Sequence, residues 1–139
     1  MIEENTIQHI ELPSKIESIS KIENFIDDIC EQHTIGEDQY GNILIALTEA
    51  INNAITHGNK CNADKVVRLD METGAQEICF TVCDEGVGFD FDNIPDPTLP
   101  ENLTKINGRG VFLMKSLADE VLFEENGSKA ILKFSLLAN

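Results

Sequence analysis

The stretch that decides the fold of this chain is Glu49-Ala-Ile-Asn52-Asn53-Ala-Ile-Thr-His57-Gly58-Asn59. At about 100° per residue, it predicts a helix with one polar and one apolar face. The polar face carries Glu49, Asn52, Asn53 and Thr56. The apolar face carries Ile43, Leu47, Ala50, Ile51 and Ala54, and Ile45 is the one clear violation. Glu49 and Asn53 lie one helical turn apart and therefore point to the same place.

This pair of side chains suits metal-assisted phosphoryl transfer. An amide oxygen, as on Asn53, is a hard neutral ligand for Mg²⁺. A carboxylate one turn away, as on Glu49, can accept the proton of an attacking hydroxyl or water. A helix whose polar face simply meets solvent is the alternative, and this stretch alone does not separate the two.

The charge balance narrows the possible partners. The chain has 139 residues, with 25 acidic against 10 basic, for a net charge of −15. The negative electrostatic potential of such a chain repels nucleic-acid backbones and anionic lipid, so neither nucleic acid nor a membrane is expected as a partner. The length predicts a single domain over residues 1–139. The four cysteines show no zinc-site spacing, and no signal peptide or membrane-spanning apolar run is evident, which predicts a cytoplasmic protein with reduced thiols.

Periodicity predicts an α+β fold, namely a two-layer α/β sandwich in which helices cover one face of a mostly antiparallel mixed sheet. Helices and strands do not alternate strictly, which excludes a doubly wound parallel sheet. The segment 84–107 is too long for a simple connection, and residues 89–107 are predicted to form a lid. The predicted strands are 6–12, 65–72, 77–84, 120–124 and 129–137, and the predicted helices are 14–33, 37–57 and 110–117.

Two glycine-containing motifs follow the helix of Glu49. Asp84-Glu-Gly86-Val-Gly88 comes directly after a predicted strand, where an aspartate can accept a hydrogen bond from an exocyclic amine such as adenine N6. Ordinary turns are the alternative for this segment. Gly108-Arg109-Gly110 precedes a short apolar helix, whose N-terminal amides favour an anion such as phosphate. The spacing of the P-loop and of the dinucleotide-binding fingerprint is absent.

In this order the three motifs resemble the N, G1 and G2 boxes of the ATPase superfamily that includes gyrase, histidine kinases and mismatch-repair ATPases, which has the Bergerat-type ATP-binding fold. The chain looks most like the small, free-standing anti-sigma factor serine/threonine kinases of that superfamily. Those proteins carry Glu-x-x-x-Asn-Ala-x-x-His-Gly. They also carry a late glycine-rich helix followed by Asp-Glu-Val, as in Asp119-Glu120-Val121 here.

The resemblance implies ATP or ADP and Mg²⁺ as cofactors, with a role for each matching residue. Asn53 would bind Mg²⁺, and Glu49 would be the general base that acts on a serine hydroxyl. Asp84 would bind the adenine amine. The remaining implied contacts to the nucleotide come from Gly86, Gly88, Gly108 and Gly110.

Several further positions are candidates with open alternatives. Arg109 is preferred to Lys105 as the phosphate-binding cation, because its planar donor fork matches phosphate oxygens. Asn52 is either a second phosphate contact or solvated. Ser128 keeps a hydroxyl where the family has threonine and is a candidate nucleotide contact. His57 is favoured as a structural residue near the helix C-terminus.

The resemblance implies an anti-sigma factor that is also a serine kinase. It would phosphorylate a small anti-sigma antagonist protein and sequester a sigma factor, and a homodimer is suggested. One alternative is a nucleotide-gated binding module without transfer activity, in which the lid reports ATP to a partner. The other is a detached histidine-kinase catalytic domain that acts on a separate protein.

Overall fold

The structure of the protein, a computed structural model, describes residues 6–32, 35–86 and 108–136. Its elements follow the predicted order. The five strands are β1 (Thr6–Pro13), β2 (Val66–Thr73), β3 (Glu77–Cys83), β4 (Glu120–Glu124) and β5 (Lys129–Ser135). The three helices are α1 (Ser18–Gln32), α2 (Glu37–Asn53) and α3 (Gly108–Leu117), and a π-helical turn, Ala54–Gly58, continues α2. No helix in the described ranges is long and apolar enough to cross a bilayer.

The strands form one sheet in the order β1-β2-β3-β5-β4. All four pairings among the described strands are antiparallel, which confirms the predicted sheet type. Residues Ile78, Phe80 and Val82 on β3 are buried and alternate with half-exposed neighbours. The sheet therefore has one buried face and one more open face, as a two-layer architecture requires.

The helices cover the buried face of the sheet and enclose the core. Three side chains of α1, Ile22, Ile26 and Ile29, are buried at helical spacing. Leu47 and Ile51 of α2 are also buried and lie one helical turn apart. Each such side chain contributes about 1.5–3 kcal/mol when it is fully removed from water. The core thus lies between the helices and the sheet, and it fixes α2 beside the end of β3.

The first helix begins later than the sequence predicted. Ser14 is fully buried, and its amide and its hydroxyl both donate to the carbonyl of Lys65, at 3.1 and 2.8 Å. The Ser18 hydroxyl donates to the carbonyl of Pro13 at 2.8 Å. These bonds hold residues 14–17 in a turn against the start of β2, so the helix begins at Ser18 and the predicted start at residue 14 is wrong.

The end of the second helix is underwound into a π-helical turn. The amide of Asn59 donates to the carbonyl of Ala54 at 2.8 Å, and the amide of Cys61 donates to the carbonyl of Ile55 at 2.7 Å. Lys60 and Cys61 then take positive φ angles of 53° and 56°, which non-glycine residues seldom adopt. Such π-helical turns are frequent at functional sites. This one carries Gly58 up against the segment that follows β3.

Candidate functional site

A cleft opens between α2, α3 and the ends of β3 and β5. The space between its walls, including the part open to solvent, is about 550 Å³. Its wall is mostly apolar, with four polar side chains, Asn53, His57, Asp84 and Ser128. The other lining residues are Ala50, Ala54, Gly58, Val82, Met114, Phe123, Gly127 and Ala130. A flat, largely apolar ligand with a few polar groups matches this lining.

At one end of the cleft, Asp84 lies directly against two glycines. A Cβ atom added to Gly58 would lie 2.5 and 2.7 Å from the two carboxylate oxygens of Asp84. A Cβ added to Gly86 would lie 2.7 Å from the carbonyl carbon of Gly58. No real Cβ makes contacts this short. The carboxylate can therefore occupy its place only because both neighbours lack side chains.

One hydrogen bond orients the Asp84 carboxylate, a second holds its backbone, and one carboxylate oxygen has no donor among the described residues. The amide of Gly86 donates to Asp84 Oδ1 at 2.8 Å, and the Asp84 amide donates to the carbonyl of Ser128 at 2.9 Å. No donor among the described residues reaches Oδ2. Burial raises the pKa of Asp84 above its ordinary value, against the opposing effects of the Gly86 hydrogen bond and the charge of Lys65. The open oxygen is a ready acceptor for an amine.

At the other end, the predicted pair from α2 meets the start of α3. A Cβ added to Gly110 would lie 3.0 Å from Asn53 Nδ2 and 3.1 Å from Glu49 Oε2. The two side chains therefore converge on one point, as their helical spacing predicted. Asn53 lines the cleft, whereas Glu49 lies just beyond the lining residues. A nucleotide phosphate held at the start of α3 would thus lie beside both groups.

One atom of the Asn53 amide has no hydrogen-bond partner among the residues that the structure describes. Its Nδ2 atom is buried and makes no hydrogen bond within the described part of the chain. An unpaired buried amide is costly, so Nδ2 is expected to have a partner beyond the described residues, and a bound ligand is one candidate. Exchange of the amide nitrogen and oxygen by rotation hardly changes the shape of the group, so either atom can face the cleft.

The donors present fit Mg²⁺ bound jointly with a nucleotide. In the described ranges no group of three or more His, Cys, Asp or Glu could hold a metal by itself. Mg²⁺ is typically held by one or two protein oxygens together with substrate phosphates. The Asn53 amide oxygen together with nucleotide phosphates provides that kind of donor set and leaves the Glu49 carboxylate free, whereas zinc would need more protein ligands.

The glycine motif at the start of α3 differs from the prediction in one respect. Gly108 and Gly110 belong to the helix, which begins two residues earlier than expected, so they form its first turn and not a loop before it. The amides of a first turn have no acceptor inside the helix. Amides in a first helical turn can still bind an anion at the helix end, so the phosphate contact stays a prediction.

Gly88, Lys105 and the whole predicted lid 89–107 lie outside the described residues, as does the side chain of Arg109. Their roles stay predictions from the sequence.

Ser128 contributes to the cleft mainly through its backbone. Its side chain is 8% exposed, and its hydroxyl donates to the carbonyl of Glu125 at 2.9 Å. Its own carbonyl accepts the Asp84 amide. Ser128 thus braces the Asp84 segment, while its hydroxyl oxygen keeps a lone pair for a ligand.

The two other polar candidates on α2 and its π turn differ in position. Asn52 is half-buried and is not among the lining residues, and its carbonyl accepts the Thr56 hydroxyl at 2.7 Å. His57 does line the cleft. The side chain of His57 is exposed, and partial desolvation, followed by the charge of Lys60, lowers the pKa of His57 from its ordinary value.

Sequence reasoning missed the apolar wall of the cleft. Met114 and Phe123 line it from α3 and β4, and Ala50 and Ala54 line it from α2 and the π-helical turn. Their periodicity identifies them only as core residues, because a ligand wall and a core show the same apolar pattern.

Comparison with known proteins identifies the relatives of this chain. The sequence profile of the histidine kinase-like ATPase domain matches residues 12–135. The chain is 34% identical over 103 residues to an anti-sigma F factor of Clostridium perfringens, an alignment that covers 69% of this chain and 72% of that protein. It is 28% identical over 134 residues to the serine-protein kinase RsbW of Staphylococcus epidermidis, covering 89% of this chain and 84% of that protein.

A solved structure shares the fold. The crystal structure of the RsbU and RsbW domains of Rv1364c from Mycobacterium tuberculosis superposes with a TM-score of 0.65 at 13% identity. The match covers 94% of this chain but only 32% of that longer chain. At this identity the likeness supports the α+β fold alone, and it agrees with the predicted architecture.

Proposed function

Because this chain belongs to the histidine kinase-like ATPase family, and within it to the anti-sigma factor kinases, we propose that it is an ATP-dependent serine kinase. In this proposal the cleft binds ATP with Mg²⁺, and the γ-phosphoryl group passes to a serine of a small antagonist protein. The chain also binds and sequesters a sigma factor.

The Asp84 end of the cleft binds the adenine ring. Asp84 Oδ2 accepts the N6 amine, and the apolar wall with Val82, Met114 and Phe123 encloses the base. A carboxylate acceptor rejects a purine that presents a carbonyl oxygen at position 6, because two acceptors would face each other. The cleft therefore favours ATP over inosine or guanosine triphosphate.

The other end of the cleft carries out the transfer. The first-turn amides of α3, with Arg109, hold the phosphates, and Asn53 holds the metal ion. Bound Mg²⁺ neutralises phosphate charge. The serine Oγ forms a bond to the γ-phosphorus while the bond from that phosphorus to the bridging oxygen of ADP breaks. Glu49 takes the proton of the serine hydroxyl.

One observation carries this proposal, namely that Glu49 and Asn53 converge on Gly110 at the start of α3. A pure nucleotide-binding module has no need of a carboxylate at that point. Transfer depends on positioning and charge stabilisation, so these few groups are sufficient for it.

The partner assignments rest on different support. The relatives are named anti-sigma factor and serine-protein kinase, which suggests a sigma factor and an antagonist as protein partners. A homodimer is supported by two exposed apolar side chains at the amino-terminal edge of the sheet, Ile7 on β1 and Ile16 in the turn that follows. They are 59% and 54% exposed. The net charge of −15 favours proteins over nucleic acid as partners.

The test begins with proteins that co-purify with the tagged chain in ATP or in ADP. Each small co-purified protein is incubated with radiolabelled ATP and the kinase, and the product is analysed for phosphoserine. We expect phosphoserine with the wild type and a loss of about 10²–10⁴-fold in rate for Glu49→Gln. The control is Glu37→Gln, the same change at an exposed position of the same helix.

The other outcomes separate the alternatives. Tight ATP binding without labelling of any partner would support the nucleotide-gated module. Acid-labile phosphohistidine would support the detached histidine-kinase domain. Equal labelling by wild type and Glu49→Gln would remove Glu49 from the role of base.

A further inference from the structure

A buried asparagine lies next to the adenine end of the cleft, and no role assigned so far uses it. Asn59 directly follows Gly58 and is 1% exposed. Its Nδ2 atom donates to Ser14 Oγ at 2.8 Å and to the carbonyl of Val66 at 3.0 Å. Its Oδ1 atom accepts the amide of Glu85 at 2.7 Å. Both amide hydrogens and the oxygen are therefore used.

These bonds join four segments at one side chain. Asn59 itself ends the π-helical turn after α2. Ser14 belongs to the turn after β1, Val66 begins β2, and Glu85 follows β3. The Glu85 carboxylate returns to the same point, because it accepts the Val66 amide at 2.7 Å. The segment that follows β3 is thus tied twice to the region around Asn59.

The segment Asp84-Glu85-Gly86 needs such a tie because the sheet no longer holds it. The ladder pairing of β3 ends at Cys83. Beyond it, the Asp84 amide bonds to Ser128, and the Gly86 amide bonds back to Asp84 itself. Among the described residues, the only hydrogen bond from this segment to the end of α2 is the one to Asn59.

The same place is where the two segments crowd each other. Gly58 lies so close to the Asp84 carboxylate, and Gly86 so close to the Gly58 carbonyl, that neither position has room for a Cβ. Steric contact sets how near the segments come, and the Asn59 hydrogen bond keeps them from separating. Together they determine where the carboxylate stands.

We propose that Asn59 is a positioning residue for adenine recognition, which holds the Asp84 carboxylate where it can accept the N6 amine. This inference rests on the proposed ATP site. The position needs one acceptor and two donors at a fixed reach, which only an asparagine amide provides, since aspartate lacks the donors and glutamine is one methylene longer.

The test compares the affinities for ATP and inosine triphosphate, which has an oxygen in place of the N6 amine. A hydrogen bond to a charged group corresponds to about a tenfold or greater preference for ATP in the wild type. In Asn59→Ala we expect this preference to fall below about threefold. The matched control is Ser14→Ala, which removes two buried hydrogen bonds of the same cluster but leaves the bond from Asn59 to Glu85 intact.

The control separates positioning from stability. Both variants should unfold at lower urea concentration than the wild type, but only Asn59→Ala should lose the preference for ATP. An unchanged preference in folded Asn59→Ala would overturn the inference. A wild type without any preference would instead contradict adenine recognition by Asp84, and with it the proposed function.

A measurement on the wild type covers the case in which Asn59→Ala does not fold. The amide of Glu85 lies beyond the last ladder pair of β3, so without Asn59 it should exchange with solvent like a loop amide. We expect slow hydrogen exchange at the Glu85 amide of the wild type. In Ser14→Ala, exchange at this amide should be faster only by the amount that the lower global stability of that variant explains. Exchange at the rate of an exposed loop would overturn the inference.

Discussion

Replacing Gly58 with alanine should displace the Asp84 carboxylate. The new Cβ would lie 2.5 Å from Oδ2, whereas ordinary contacts need about 3.5 Å, so one group must move by about 1 Å. A shift of that size takes a hydrogen bond of about 2.9 Å beyond its useful range. We therefore expect ATP affinity to fall by about tenfold or more, measured by calorimetric titration.

The matched control is Gly41→Ala in α2, where an added Cβ meets nothing within 4 Å. Alanine stabilises a helix interior by about 0.5–1 kcal/mol relative to glycine, so this variant should gain stability and bind ATP normally. Gly58 also has an ordinary negative φ, so its loss would come from the clash and not from backbone strain.

A double-mutant cycle makes the attribution specific. Gly58→Ala should also reduce the free energy of unfolding, and it should do so by less in an Asp84→Ala background, where the added Cβ meets no carboxylate. The coupling should be about 1–3 kcal/mol, the usual cost of overpacking. Wild-type ATP affinity in Gly58→Ala, or a coupling near zero, would refute the contact between Gly58 and Asp84 as the basis of the site.

Three further predictions follow from the same geometry. Asp84→Asn should weaken ATP binding without loss of stability at neutral pH. Because the pKa of Asp84 is raised in the folded state, Asp84 stabilises the fold only at low pH, where it is protonated. This contribution is lost as the pH rises through the folded-state pKa. Urea unfolding across the acid range should therefore show a steeper decline with rising pH in the wild type than in the variant, while wild-type ATP affinity rises over the same range. Gly110→Ala should reduce the gain in ADP affinity caused by Mg²⁺ severalfold, since its Cβ pushes on Asn53 and Glu49, and an unchanged gain in titrations with and without Mg²⁺ would contradict the placement of the metal. Ile7→Lys should convert a dimer to a monomer in sedimentation, whereas Ile45→Lys, at an exposed position on α2, should not; a wild type that is already monomeric would count against the proposed dimer.

The sequence was sufficient for the elements and for one end of the site. Period-two burial in the strands and helical spacing in α1 and α2 reflect local geometry, so the order of elements and the antiparallel sheet were predictable. The convergence of Glu49 and Asn53 was predictable for the same reason, because a separation of four residues on a helix fixes their relative direction. The family assignment followed from these motifs.

The other end of the site depends on contacts that no local pattern contains. Periodicity does not register the π-helical turn, in which one extra residue carries Gly58 against Asp84. In the sequence, Asn59 is an ordinary polar residue beyond the end of a helix. Its hydrogen-bond partners Ser14 and Glu85 are 45 and 26 residues away along the chain. The late start of α1 has the same origin, since Ser14 bonds to the distant Lys65 instead of beginning the helix.

The central claim is that one cleft binds an adenine nucleotide through Asp84 at one end and Asn53 with Mg²⁺ at the other. Calorimetric titration of the wild type with ADP, in Mg²⁺ and then in EDTA, tests it most directly. The account predicts saturable binding at one site per chain, at least about tenfold tighter with Mg²⁺. No uptake of ADP, or equal affinity in EDTA, would contradict it.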